Sequence, residues 1–80
     1  MKITNAIKKL EKAGFKINKS GGLYSAKRGS DIINFRKNGG DSDQVICIRV
    51  RSECDQDDQM TDYFAGVFCN NITQAIRLAN

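Results

Sequence analysis

The acidic side chains of this sequence are concentrated in one short stretch, and grouped carboxylates are the ligands that Ca²⁺ and Mg²⁺ prefer. They are Glu53, Asp55, Asp57, Asp58 and Asp62. An EF-hand loop counted from Asp55 needs glycine at its sixth position and glutamate at its twelfth, but Met60 and Gly66 stand there. We therefore predict a solvated loop without a metal. Its functional alternative is a negative patch, formed by Asp55, Asp57 and Asp58, that docks on a basic partner surface.

Basic side chains form the second candidate group. Residues 1–52 hold 12 Lys or Arg against 4 Asp or Glu, whereas residues 53–62 hold 5 acids and no base, and the net charge of the chain is +4. Such an excess suits acidic protein surfaces or phosphate backbones. For a protein partner we predict contacts at Arg49 and Arg51, with Tyr63 as an aromatic group at a sheet edge. The structural alternative is that both arginines only solubilise a sheet face.

A second set of cations supports an alternative partner, a nucleic acid. Spread over a sheet face near Tyr24 and along the first helix, these side chains are suited to meeting phosphates. The set consists of Lys8, Lys9, Lys12, Lys27, Arg28, Arg36 and Lys37. The sequence lacks an RRM-type aromatic motif, a GxxG clamp and helix-turn-helix spacing.

Residue types that usually perform catalysis are scarce. The sequence has no histidine, which removes the most common proton-transfer group and transition-metal ligand. Its three cysteines include no CxxC pair, so neither a disulfide scaffold nor a zinc site is predicted. Cys47 and Cys69 are predicted to be small packed residues, and Cys54 to be the reactive thiol. We expect no enzymatic activity, no cofactor and no bound metal.

The element that must position Arg49 and Arg51 is the stretch Gln44–Ser52, which is rich in β-branched residues. Alternation predicts a central antiparallel strand with one face in the core and the two arginines on the other. The predicted core side chains are Ile46, Ile48 and Val50, and the opposite face carries Val45, Cys47, Arg49 and Arg51.

The remaining segments predict a single α+β domain over residues 1–80. Thr4 is predicted to cap a helix that ends at Gly14, and Asn71 to begin a closing helix with Gln74 at the capping-box position. Between them we expect four to five antiparallel strands, including a hairpin around 28–31 that buries Ile33 and Phe35. A last strand, Thr61–Cys69, is predicted to place Phe64 and Phe68 in the core. Both helices are expected to pack on one face of the sheet.

The segment KKLEKAGFKINKSGGLYSAKRGSDIINF, residues 8–35, resembles in layout the HicA-type toxins of toxin–antitoxin pairs. Those proteins have a helix, a strand, a glycine turn and a hairpin on a fold related to double-stranded-RNA-binding domains. Their nuclease activity depends on a histidine after the glycine turn, where this chain has Leu23 and Tyr24. The resemblance therefore implies a copy that does not cleave RNA. It also implies that, if the partner is a nucleic acid, this chain is a binding module of double-stranded-RNA-binding type.

The stretch TDYFAGVFCNNITQAI, in the C-terminal half, is similar in style to small accessory proteins of phages and mobile elements. Among these, a short, histidine-free domain with acidic and basic patches resembles the anti-CRISPR proteins. That resemblance implies a stoichiometric inhibitor that blocks a host protein or ribonucleoprotein complex. With no apolar run long enough for a membrane span and no signal peptide pattern, we expect a cytoplasmic location and no membrane partner. The oligomeric state stays open.

Overall fold

A computed structural model describes residues 1–39, 43–52 and 67–79 of the chain. Its elements are α1 (Ile3–Lys12), β1 (Lys16–Ser20), β2 (Leu23–Arg28), β3 (Asp31–Lys37), β4 (Val45–Ser52), β5 (Val67–Cys69) and α2 (Ile72–Leu78). The strands form one antiparallel sheet in the order β1-β2-β3-β4-β5. The predicted α+β architecture is confirmed. No helix in these residues is long and apolar enough to cross a membrane.

Helix α1 is held by an apolar stripe and by the backbone of a distant segment. Its buried residues are Ile3, Ala6 and Leu10. The predicted cap at Thr4 is wrong, because the N-cap is Lys2 and its side chain makes no capping hydrogen bond. Instead, the backbone N–H of Ile3 donates to the carbonyl of Asp43 at 2.6 Å, beside a bridge between Lys2 and Gln44. Gly14 has a φ of +94° and ends the helix as predicted.

Both helices pack on one face of the sheet, which we call the inner face. Strands β2 and β3 meet at a two-residue turn, and Ile33 and Phe35 of β3 are fully buried, as predicted. The rings of Phe35 and Tyr24 stack with their centroids 5.4 Å apart. The core consists of Ile3, Ala6, Leu10, Phe15, Tyr24, Ala26, Ile33, Phe35, Ile48, Val50, Ile72, Ala75 and Ala79. The core side chains of α1 and α2 contact one set of strand positions. On the opposite face, which we call the outer face, residues 1–39, 43–52 and 67–79 contribute no helix.

Strand β4 is interrupted by a β-bulge that overturns part of its predicted alternation. Asn34 pairs with Arg49, but Arg36 pairs with Ile46, so two residues of β4 stand opposite one of β3. Within this bulge Cys47 adopts a φ of +55°. One extra residue moves every side chain before it to the other face.

The bulge has two consequences for the predicted faces of β4. Ile48 and Val50 lie in the core as predicted, but Ile46 shares the outer face with Arg36, and Val45 packs against the core instead. The predicted burial of Cys47 is also wrong, because the residue is exposed. Moreover, β4 is paired on both sides, but the middle strand of the sheet is β3.

The closing helix begins as the sequence predicts. The side-chain oxygen of Asn71 accepts a hydrogen bond from the backbone N–H of Gln74 at 2.8 Å. The side chain of Gln74 in turn accepts from the N–H of Asn70 at 2.9 Å, one residue earlier than a standard capping box. Ile72 and Ala75 then bury the apolar side of the helix.

Candidate binding surface on the outer sheet face

The strand registers arrange the outer-face side chains in three rows that cross the sheet. The first row contains Lys16, Lys27, Ile32 and Arg51. The middle row contains Asn18, Ser25, Asn34, Arg49 and Phe68. The third row contains Ser20, Leu23, Arg36 and Ile46. No helix covers these rows in the described part of the chain.

Positive charge dominates this surface. Its cations are Lys16, Lys27, Arg36, Arg49 and Arg51. The first three are exposed, whereas Arg49 and Arg51 are half-buried. Among the described strand residues the only acid is Asp31, whose register position belongs to the inner face. The described part of the outer face therefore holds five cations and no carboxylate.

The middle row contains a polar pair at the centre of the sheet. Asn34 is only 5% exposed, and its side-chain oxygen accepts a hydrogen bond from the Ser25 hydroxyl at 2.8 Å. A buried amide is costly unless it is hydrogen-bonded, so this contact fixes the orientation of the Asn34 side chain. Arg49 follows Asn34 directly in the row. The pair thus gives the outer face a hydrogen-bonded polar centre beside an arginine.

Two large apolar side chains are exposed on the same face. Leu23 is 48% exposed and Phe68 is 69% exposed. The predicted core position of Phe68 is wrong, because its register partner is Arg49, an outer-face residue. Exposed aromatic groups beside arginines are typical of interfaces with macromolecules.

A depression of about 630 Å³ opens at the first row, beside the end of α1. Its lining includes the cations Lys16, Lys27, Arg28 and Arg51, the polar residues Asn18 and Ser25, and the apolar Ile32, with Gly14 and Gly29 at one end. The sequence prediction missed Lys16, Asn18 and Ser25. The signal for them was the alternation of polar residues with the partly buried Ile17 in β1 and with the buried Tyr24 and Ala26 in β2.

Among the residues predicted to contact a protein partner, the structure describes only the two arginines. Arg49 and Arg51 lie on the outer face in adjacent rows, as alternation predicts. Asp55, Asp57, Asp58 and Tyr63 lie outside the described residues. Phe64 and the predicted acidic loop also lie outside them.

The cations predicted to contact nucleic acid are divided between the two sides of the molecule. Lys8, Lys9 and Lys12 belong to α1, which packs on the inner face, and the Lys9 ammonium donates to the hydroxyl of Thr73 on α2. Lys27 and Arg36 lie on the outer face, whereas Arg28 and Lys37 have inner-face register positions. The aromatic neighbour proposed for this set, Tyr24, is buried in the core.

Arg28 has structural contacts that fix its position. Its guanidinium donates to the backbone carbonyl of Ala13 at 2.7 Å and lies 4.4 Å from the centre of the Phe15 ring. A side chain at Gly14 would meet the Arg28 stem at 3.4 Å, so glycine there serves both the turn and this contact. Arg28 therefore joins the C-terminal end of α1 to the β2–β3 hairpin.

Two observations on the described residues concern metal ligands and thiols. They contain no group of three His, Cys, Asp or Glu side chains that could hold a metal ion. Burial raises the pKa of the Cys69 thiol, which makes it a weaker nucleophile near neutral pH.

The described outer face carries five cations, the buried Ser25–Asn34 pair, the exposed Leu23 and Phe68, and the depression at the first row. No protein-family model matches this chain, and no curated protein and no solved structure shows significant similarity to it.

Proposed function

We propose that this protein is a non-enzymatic, stoichiometric binding protein whose outer face docks on a negatively charged surface of a host protein or ribonucleoprotein complex. In this respect it would act like an anti-CRISPR inhibitor of a phage or mobile element. The observation that carries the proposal is the separation of charge, with five cations and no carboxylate on the described outer face. Complementary charge of this kind accelerates association and selects the partner.

Two further features favour a macromolecular partner over a diffuse counterion atmosphere. Phe68 and Leu23 present apolar area on the same surface as the cations, and desolvated aromatic groups carry much of the energy of interfaces. In addition, Arg49 and Arg51 are half-buried, so less side-chain freedom is lost when they bind.

The experiment compares two double variants of equal charge. Arg49→Gln/Arg51→Gln alters the outer face, and Lys8→Gln/Lys12→Gln removes two exposed cations from α1 on the other side. A partner captured from host lysate is identified by mass spectrometry, purified, and titrated by calorimetry. We expect one-to-one binding that weakens at least about tenfold in the outer-face variant and changes less than about twofold in the α1 variant.

A second outer-face variant, Lys27→Gln/Arg36→Gln, keeps the test valid if loss of the half-buried arginines impairs folding. Both of its positions are exposed, so its folding should match that of the parent protein by circular dichroism. Equal binding by all variants would contradict the proposal. So would a loss of binding in the α1 variant alone, because that would place the interface on the helices.

The rows of cations also favour a second candidate function, a nucleic-acid-binding module. Its form differs from the double-stranded-RNA-binding type expected from the sequence, because the α1 lysines and the outer-face cations lie on opposite sides of the sheet. A single strand laid across the outer face would meet the cations without the helices. The neutral side chains of the middle row would then lie next to its bases.

Fluorescence anisotropy with labelled 20-nucleotide single strands and duplexes tests this candidate. For a single strand that meets all five cations, log affinity should fall with log salt with a slope of about −3.5, which is about −0.7 per phosphate contact. Arg49→Gln/Arg51→Gln should reduce the slope by about 1.4. Absence of binding at low salt, or tighter binding to duplex that depends on the α1 lysines, would rule out this mode.

A further inference from the structure

The depression at the first row is lined by four cations, Lys16, Lys27, Arg28 and Arg51. Lys16 and Lys27 are direct cross-strand partners, and Arg51 follows in the same row beyond Ile32. All three cations also line the depression, so one row of the sheet supplies three positive charges to the same space.

The interior of the depression combines an apolar floor with neutral hydrogen-bonding groups. Ile32 is only 6% exposed although it lies on the outer face and outside the inner core. The long aliphatic stems of Lys27 and Arg51, its neighbours in the row, are suited to covering it. Asn18 and Ser25 line the same space and are direct partners across β1 and β2. A ligand here would meet charged and neutral polar groups together.

One end of the depression is built from backbone and from a cation that is already fixed. Gly14 and Gly29 line this end, and no atom lies within 4 Å of the position that a side chain at Gly29 would occupy. Arg28 is held by the Ala13 carbonyl and the Phe15 ring, so its charge is in place before a ligand arrives. Pre-organised charge of this kind stabilises an anion without a further ordering cost.

We infer that this depression, which we call the end pocket, binds the phosphate group of a nucleotide through Lys16, Lys27 and Arg51. Its volume of about 630 Å³ lies within the range of pockets that hold small organic ligands. The phosphate would accept hydrogen bonds from the lysine ammonium groups and the guanidinium. Asn18 and Ser25 would face the rest of the nucleotide. This inference deepens the proposed use of the outer face and rests on it.

A second depression, of about 440 Å³, provides a matched control. It lies at the other end of the sheet, where Lys19, Arg36 and Lys37 supply the charge and Gly21, Gly22 and Gly39 supply much of the wall. Its Lys19 ammonium lies 5.4 Å from the centre of the Tyr24 ring. Among the described residues its lining contains no serine or asparagine, which makes it the weaker candidate.

The test uses the whole chain with inorganic pyrophosphate as the probe, followed by ¹⁵N–¹H NMR and calorimetry. Lys16→Gln/Lys27→Gln removes two exposed cations from the end pocket, and Lys19→Gln/Arg36→Gln removes two from the second depression. We expect saturable shifts of the amide signals of Gly14, Lys16, Asn18, Ser25 and Gly29. Pyrophosphate affinity should fall at least about tenfold in the first variant and less than about twofold in the second, since bonds to charged groups are the strong ones.

Equal weakening in both variants would overturn the inference, because it would indicate general charge attraction. Shifts spread evenly over all exposed lysines would overturn it as well. Single-stranded oligonucleotides with a 5′-phosphate or a 5′-hydroxyl then distinguish the sources of the phosphate. A preference for the 5′-phosphate identifies a terminal group or free nucleotide, and equal affinity identifies the backbone.

The two proposals fail in different ways. If pyrophosphate leaves the wild-type spectrum unchanged while Arg49→Gln/Arg51→Gln still abolishes capture of a protein partner, the end pocket is wrong and the docking surface stands. If pyrophosphate binds as expected but outer-face variants capture the partner normally, the pocket stands as a separate nucleotide site and the proposed docking surface fails.

Discussion

The two faces of this sheet differ in what their residues do for the fold. On the inner face Ile33 and Phe35 are fully buried beneath two helices, and substitutions there remove packing. On the outer face the same strand carries Ile32, Asn34 and Arg36, of which the first two are buried although neither described helix packs on that face. Among the described residues the helices therefore add packing to the inner face alone.

The largest expected effect is a loss of stability on the inner face. Phe35→Ala should lower the free energy of unfolding by about 3–5 kcal/mol, because the side chain is fully buried and leaves a cavity. Its exposed outer-face neighbour, Arg36→Ala, should change it by less than about 0.5 kcal/mol. Urea unfolding followed by circular dichroism measures both. Similar losses in the two variants would show that the faces are not functionally separate.

A smaller effect tests the bulge that divides β4 between the faces. Val45→Ser should lower the free energy of unfolding by about 1 kcal/mol more than Ile46→Ser does, because Val45 packs against the core and Ile46 lies on the outer face. Uninterrupted alternation would place Ile46 in the core, so Ile46→Ser would then be the more destabilising substitution. The larger size of isoleucine would add to that difference. The same urea titrations decide between them, and a greater loss at position 46 would contradict the observed register.

The third prediction concerns the backbone of the bulge itself. Cys47 has a φ of +55°, a conformation that costs a residue with a side chain about 1–2 kcal/mol. Cys47→Gly should therefore be more stable than Cys47→Ala by about 1 kcal/mol, since both lack the thiol and only glycine relieves the strain. Thermal unfolding of the pair measures the difference. If alanine proves equal or better, position 47 is not in the left-handed region.

The smallest effect is a difference in thiol reactivity. In a Cys54→Ser background, iodoacetamide at pH 8 should modify the exposed Cys47 several-fold faster than Cys69. Burial raises the pKa of the Cys69 thiol, so its thiolate fraction at pH 8 is reduced and should recover as the pH rises. Peptide mass spectrometry over a time course gives both rates. Faster reaction at Cys69 would show that this side of β5 opens readily.

Much of this architecture follows from local patterns, and the errors arise where one residue changes the pattern. Short-range sequence patterns predict the helix boundaries at Gly14 and Asn71 and the β2–β3 hairpin. They also predict the burial of Ile33 and Phe35. The bulge residue with positive φ is Cys47 and not a glycine, so the sequence shows no sign of a bulge. The apolar and polar residues of β4 therefore read as one continuous alternation. For that reason the sequence pattern predicts the wrong sheet face for both Val45 and Ile46.

The candidate surface was harder to predict than the fold. The sequence predicts Phe68 in the core and Tyr24 beside exposed cations, yet register places Phe68 on the outer face and Tyr24 is buried in the core. Arg49 and Arg51 were predicted correctly as outer-face residues because they follow the bulge, where alternation holds. Lys16, Asn18 and Ser25 meet only when β1 and β2 pair, and a sequence does not show which residues stand opposite each other.

The backbone contact at the start of α1 bears on how the chain folds. Besides the bond from Ile3 to Asp43, the N–H of Val45 donates to the carbonyl of Met1 at 3.0 Å. A ten-residue helix is too short to persist alone in water, where about 12–15 residues are needed. Formation of α1 is therefore coupled to a contact about forty residues away, which slows the search for the native state. Hydrogen exchange should find the first turn of α1 and the start of β4 opening as one cooperative unit.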